Sequence, residues 1–175
     1  MLNSRSYPAT RSMQDQFETF LVGFDAARLR DLSVYSEQRP ETDSLRKLYH
    51  HPERQTSLPN EQKVVRFGIR HDMYSLGIVL LELATWRRLY QFNDERLRSF
   101  ISGSSGDPYE FQKRLAELAE EYLGGLMGSK YTGAVVCCLK DSHVRDGGFD
   151  GKNGESAMRE VFYENVLRQL KGIMV

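Results

Sequence analysis

"DMYSLGIVLLELATW", Asp72 to Trp86, is the stretch that decides how this 175-residue chain is read. Asp72 stands where a helix N-cap belongs, since its carboxylate can accept an orphan backbone N–H. The apolar residues that follow cover nearly the whole circumference of a helix, so the spacing predicts a helix over 72–87, buried on most sides. A membrane span is the competing reading. The run is shorter than the ~20 residues a span needs, contains Glu82 and closes on Arg87 and Arg88, so burial inside a folded domain is expected.

Downstream, "SGSSGDPYEFQKRLAELAEEYLGG" predicts a helix over 108–123 with clear ends. Asp107 is the N-cap, Pro108 takes the first helical position, Glu110 completes a capping box, and Gly124-Gly125 is the expected stop. Phe111, Leu115, Leu118, Ala119 and Tyr122 form one apolar face. A further helix is expected over 130–139, with Tyr131, Val135, Cys138 and Leu139 on a face. After a Gly- and Asp-rich loop, "KDSHVRDGGFDGKNG", a last amphipathic helix is expected over 156–171 through Met158, Phe162, Val166 and Leu170. No internal repeat is evident.

Upstream, residues 1–16 are polar and lack apolar periodicity, as in a tail or loop. "FETFLVGF" then supplies a short strand-like run near 18–22, ended by Gly23. From Asp31 to Lys63 the chain is polar, and Pro40, Pro52 and Pro59 interrupt any helix. A loop of that length is commonly functional or disordered.

Composition narrows the function. Lys+Arg and Asp+Glu both number 24, so the net charge of +0 offers no electrostatic case for a nucleic-acid or anionic-membrane partner. Cys137 and Cys138 are adjacent, and a disulfide between neighbours would be strained, which suits a reducing interior better than a disulfide scaffold. The start, "MLNSRSYPATR", lacks the apolar core of a signal peptide, so an intracellular, cytoplasmic setting is expected.

Three motifs follow one another along the chain: Gly23-Phe24-Asp25 after the apolar run, Pro52-Glu53 inside "LYHHPERQ", and Asp72-x-Tyr74-Ser75-Leu76-Gly77 opening the central helix. In this order they resemble the Asp-Phe-Gly, Ala-Pro-Glu and Asp-x-Tyr/Trp-Ser-Leu/Phe-Gly motifs of protein kinases. In detail the chain is similar to kinase-like domains of filamentous fungi that carry "LVGFD", "Y.HPERQ" and "HD.YSLG.VLLE..LWR". Some of those follow a HeLo-type domain linked to heterokaryon incompatibility. The likeness spans Phe20 to Leu139.

The resemblance implies a mainly α protein-kinase-like large lobe over 17–172, with a minor β element near 18–22, an activation-segment-like stretch over 23–53 and no small lobe. It implies that Glu53 anchors the end of that stretch to a later arginine, for which Arg145 is the candidate. Asp72 would accept backbone hydrogen bonds from a catalytic loop. Leu76 and Leu80 would support the hydrophobic spines, while Tyr74, Gly77 and Trp86 would pack. Ser33, Tyr35, Ser36, Thr42 and Ser44, in the activation-segment-like stretch, would be candidates for phosphorylation.

Phosphoryl transfer in kinases needs Mg²⁺ on the first residue of Asp-Phe-Gly and a catalytic-loop Asp as base. Gly23 occupies the metal-binding position and has no side-chain oxygen, and Asp25 is displaced by two residues, a poor substitute ligand. "NSRSYPATRSMQDQ" contains no His-Arg-Asp, and no Gly-rich loop precedes it. No catalytic residue, cofactor or metal is therefore expected.

Other signals are weaker. His50-His51 reads as part of a polar loop, because no Cys or carboxylate set stands at metal-ligand spacing around it. "DGGFDGKNGESA" departs from an EF-hand at Gly148 and at Ala157, where the bidentate Glu belongs. "GSSG" is a turn without the Lys-Ser/Thr of a phosphate cradle.

The expected function is thus that of a pseudokinase-like interaction or regulatory module, partnered by another protein or by the absent small lobe. Two readings stay open beside it. One is part of an ATP- and Mg²⁺-dependent protein Ser/Thr kinase whose N-terminal lobe and catalytic loop lie elsewhere. The other is a helical scaffold with accidental motifs, in which the helix from Asp72 would not be central.

Overall fold

A computed structural model of the chain describes residues 44–55, 67–102, 106–140 and 152–173. These are mainly helical, and no strand occurs among them. The strand expected near 18–22, the Gly23-Phe24-Asp25 motif and Arg145 lie outside the described residues. The order is α1 (Ser44–Lys47), α2 (Pro52–Gln55), α3 (Ile69–Thr85), a 3₁₀ turn (Leu89–Gln91), α4 (Glu95–Ile101), α5 (Pro108–Leu139), α6 (Lys152–Phe162), a π-helical segment (Tyr163–Leu167) and α7 (Arg168–Lys171). No described helix is long and apolar enough to cross a membrane.

Helix α3 starts three residues earlier than Asp72 suggested. Gly68 is its N-cap, in extended conformation, and His71 at the third helical position accepts the Gly68 N–H on Nδ1 at 2.8 Å. This is half of a capping box, since Gly68 has no side chain with which to reciprocate. Asp72, expected as the cap, is instead an exposed residue inside the first turn.

At the other end the expectation for Trp86 also fails. It is the C-cap, with φ 51° and ψ 32°, and is 89% exposed. The left-handed turn redirects the chain so that Leu89 and Phe92 enter the core, and Trp86 is left outside. Val79 and Leu83 are exposed on the same helix. The nearly all-round apolar pattern is therefore buried on two sides and open on a third.

On those two sides α3 meets both parts of the core. Tyr74, Ile78 and Leu81 join Leu115, Leu118, Ala119, Val135 and Leu139 of α5 in the larger cluster. Met73 packs with Ala134, Cys138, Met158 and Val166 in the smaller one, with Leu76 against its edge and Leu80 against the larger. Each fully buried Leu or Ile contributes about 1.5–3 kcal/mol by leaving water. Gly77 lets α3 and α5 touch: a Cβ there would lie 2.9 Å from Cys138 Cβ and 3.0 Å from Leu139 side-chain atoms.

Helix α5 opens as its residues predict, with Asp107 accepting the Tyr109 N–H at 3.0 Å and Pro108 at the first position. It does not stop at Gly124-Gly125. Glycine weakens a helix without ending it unless it takes a conformation that breaks the ladder. That happens at Gly128, with φ 78° and ψ 172°, where the helix bends between arms 108–127 and 129–139. The second arm folds back across the first: Gln112 Nε2 donates to Leu139 O at 2.8 Å, and Lys140 Nζ meets Glu120 Oε1 at 2.7 Å. The apolar faces read from the spacing are buried, except that Tyr122 is partly exposed, edge-on to Phe92.

The last helical stretch begins at Lys152 and includes a π-helical turn over Tyr163–Leu167. Met158, Phe162, Val166 and Leu170 recur every four residues, slightly more than an α-helical turn, so a pure α-helix would rotate them off one face. The wider π turn restores the register, and all four pack inward.

Candidate functional site

The segment 48–55 crosses the N-terminal half of α3 and is held there by polar contacts. Tyr74 Oη donates to Leu48 O at 3.4 Å, and Ser75 Oγ lies 3.1 Å from Tyr49 O and 3.0 Å from His71 O. Tyr49 Oη donates to Glu82 Oε1 at 2.6 Å, and that oxygen also accepts the Leu89 N–H at 2.8 Å. Burial and the neighbouring Glu82 carboxylate both hold the Tyr49 phenol well above its usual range.

Pro52 occupies the first position of α2, where its missing N–H costs nothing and its fixed φ suits the helix. The Glu53 N–H then points at His51 Nδ1, 3.3 Å away, and Gln55 Nε2 donates to His50 O at 2.6 Å. This local arrangement turns His51 inward. His51 is 2% exposed, so the polar-loop reading of His50-His51 is corrected: one of the pair is core. Its ring stands edge-on to His71 at 5.1 Å and to Tyr74 at 5.5 Å.

Glu53 pairs with the guanidinium of Arg70, and its Oε2 lies 3.4 Å from His71 Nε2. Among the described residues the arginine paired with Glu53 is thus Arg70, in the first turn of α3. Phe67 stacks on His71 at 5.3 Å, and the Arg54 guanidinium lies over the Phe67 ring, 5.0 Å from its centroid. His71, also 2% exposed, is enclosed by an aromatic ring, a second imidazole and two arginines. Burial first, then the charges of His51 and Arg70, lower its pKa to about 4, so it is neutral at physiological pH.

The structure thus brings together His51, Glu53 and His71, each offering one donor atom, with all three atoms within 4.8 Å of one another. Of the residues singled out from sequence, Pro52 and Glu53 belong to this site and Gly77 to the helix contact behind it. Asp72 is on the same helix but exposed. The two histidines were missed because 20 residues separate them. The available signal was position: each precedes a motif residue, His51 before Pro52-Glu53 and His71 before Asp72.

Compared with protein families, curated proteins and solved structures, the chain matches none of them.

Proposed function

We propose that this chain is a kinase-like large lobe that carries out no phosphoryl transfer of its own and serves as an interaction or regulatory module. The observation that carries the reading is the position of α3. The helix that bears Asp72-x-Tyr74-Ser75-Leu76-Gly77 touches both core clusters, as this reading requires. The attachment of 48–55 to α3, through Tyr74, Ser75 and the Glu53–Arg70 pair, adds support. In the resemblance this stretch is the end of the activation segment.

The absence of catalysis rests on Gly23, which cannot ligate Mg²⁺ through a side chain. The interaction role rests on Val79 and Leu83, one turn apart on α3, and on Trp86 at its C-cap, which are 44%, 56% and 89% exposed. An apolar stripe of this kind suits a protein partner with a complementary apolar surface. Thermal melting with ATP and Mg²⁺ tests the reading, since a ligand that binds only the folded chain raises its stability. The expected result is no shift at saturating nucleotide. A Mg²⁺-dependent rise that disappears in Asp25→Ala would overturn it.

A further inference from the structure

We propose that His51, Glu53 and His71 form a zinc site that fastens the 51–55 turn to the start of α3. This stands independently of the kinase-like reading.

Two imidazoles and one carboxylate are a recurring donor set for zinc, which leaves a fourth position for water or another ligand. Here the donors come from two elements and lie within 4.8 Å of one another. Donors sharing one tetrahedral zinc lie about 3.4 Å apart, given metal–ligand distances of about 2.0–2.1 Å. Glu53 Oε2 and His71 Nε2 already stand 3.4 Å apart, so a contraction of up to about 1.4 Å falls on the distances to His51.

A second observation points to a ligand. Among the described residues His71 Nε2, buried and 3.4 Å from Glu53 Oε2, makes no hydrogen bond, although its ring lies against Phe67 and His51. A buried polar atom left this way is costly unless something satisfies it. Coordination through Nε2 requires the tautomer that carries its proton on Nδ1. Without metal Nδ1 instead accepts the Gly68 N–H at 2.8 Å, so zinc binding must exchange that capping bond for one from Nδ1 to Gly68 O, 3.2 Å away. A backbone carbonyl on the far nitrogen is the usual outer partner of a zinc-bound histidine.

Arg70 is the competitor. It pairs with Glu53 in the metal-free arrangement, and zinc must displace it from the carboxylate oxygen. With Arg54 also near, the local positive charge lowers affinity for a cation and makes the exchange reciprocal: Arg70 on Glu53, or zinc on Glu53. The site is therefore a two-state fastening, charge-paired without metal and coordinated with it.

The test uses the full chain, stripped with a chelator and titrated with zinc by calorimetry and thermal melting. One equivalent should bind and raise Tm. Glu53→Gln and His71→Asn should each weaken binding at least tenfold, and His50→Asn should leave it unchanged. Should His71→Asn fail to fold, imidazole nitrogen NMR of the unmodified chain decides the matter. Zinc-induced shifts of His51 and His71 support the site, whereas shifts confined to His50 and His143 overturn it. Absence of saturable binding also overturns it, as does binding that survives Glu53→Gln but is lost on replacing Cys137 and Cys138 by serine.

Discussion

Arg114 and His71 each sit among charged neighbours, and the two clusters are built on opposite principles. Arg114 Nη2 reaches Asp94 at 2.6 Å, and Nη1 reaches Glu121 at 2.8 Å and Glu117 at 3.0 Å. Its planar fork matches carboxylates, and the cluster ties the N-cap of α4 to the first arm of α5. These carboxylates hold the guanidinium firmly charged, and Arg114 holds the Asp94 carboxyl below its usual range. In the His51–Glu53–His71 cluster the one carboxylate is already paired with Arg70, burial and the nearby positive charge keep the His71 imidazole neutral, and its buried Nε2 makes no hydrogen bond among the described residues. The first arrangement is completed by its own residues. The second leaves the buried His71 Nε2 without a hydrogen bond among the described residues, and that is the difference between a structural brace and a candidate site.

The largest effect that would sharpen this contrast is expected from Arg114→Met. Removing the shared cation strands three carboxylates around one point, two of them partly shielded, and should cost about 3 kcal/mol in urea unfolding at neutral pH. Because the folded Asp94 carboxyl is depressed, its contribution is present above the ordinary carboxylate range and is lost as pH falls through it. The penalty of the substitution should therefore shrink in acid. A loss that stays unchanged at low pH would show that packing, and not charge, holds α4 to α5.

Next comes the pH dependence of the metal-free chain in chelator. The unfolded His71 takes up its proton near 6.5, whereas the folded one does so only near 4. Between those values the unfolded state binds more protons, so stability falls as pH drops from 6.5 to 4 and is fully present above 6.5. After discounting for partial solvation the change is roughly 2 kcal/mol. Urea unfolding across this window should show a steeper slope for the native chain than for His71→Gln. Equal slopes would remove the distinction between the two clusters.

Glu53→Gln should have a smaller effect, about 1 kcal/mol in chelator, because the Glu53–Arg70 pair is only partly buried. Thermal melting checks it, and the zinc-dependent rise should vanish in the same variant. Smallest is Lys140→Ala. Its pair with Glu120 is open to water on both sides, so the change should stay below about 0.5 kcal/mol. A larger loss would mean that this pair helps hold the two arms of α5 together.

Much of the helical architecture was legible from local pattern. Pro108 after Asp107 identified where α5 begins, and the spacing of Tyr131, Val135, Cys138 and Leu139 identified a face that is buried. What misled was punctuation. Gly124-Gly125 resembles a stop, yet the break falls at Gly128, because glycine permits a break and only the packing of the two arms selects where one occurs. Asp72 resembles a cap, yet the hydrogen bond between Gly68 and His71 starts α3 earlier. Trp86 has the composition of a core residue, and a left-handed turn places it in solvent.

By itself, the sequence determined that this protein has a long apolar helix too short and too charged to span a membrane, flanked by amphipathic partners, because periodicity and caps act over a few residues. It also determined the order of the three motifs on which the functional proposal rests. Only the tertiary structure decided that His51 and His71 meet beside Glu53, that Arg70 stands there too, and which side of α3 stays open. Those are relations between residues far apart in the chain, set by how α3 packs on α5 and how 48–55 crosses it, and no local pattern encodes them.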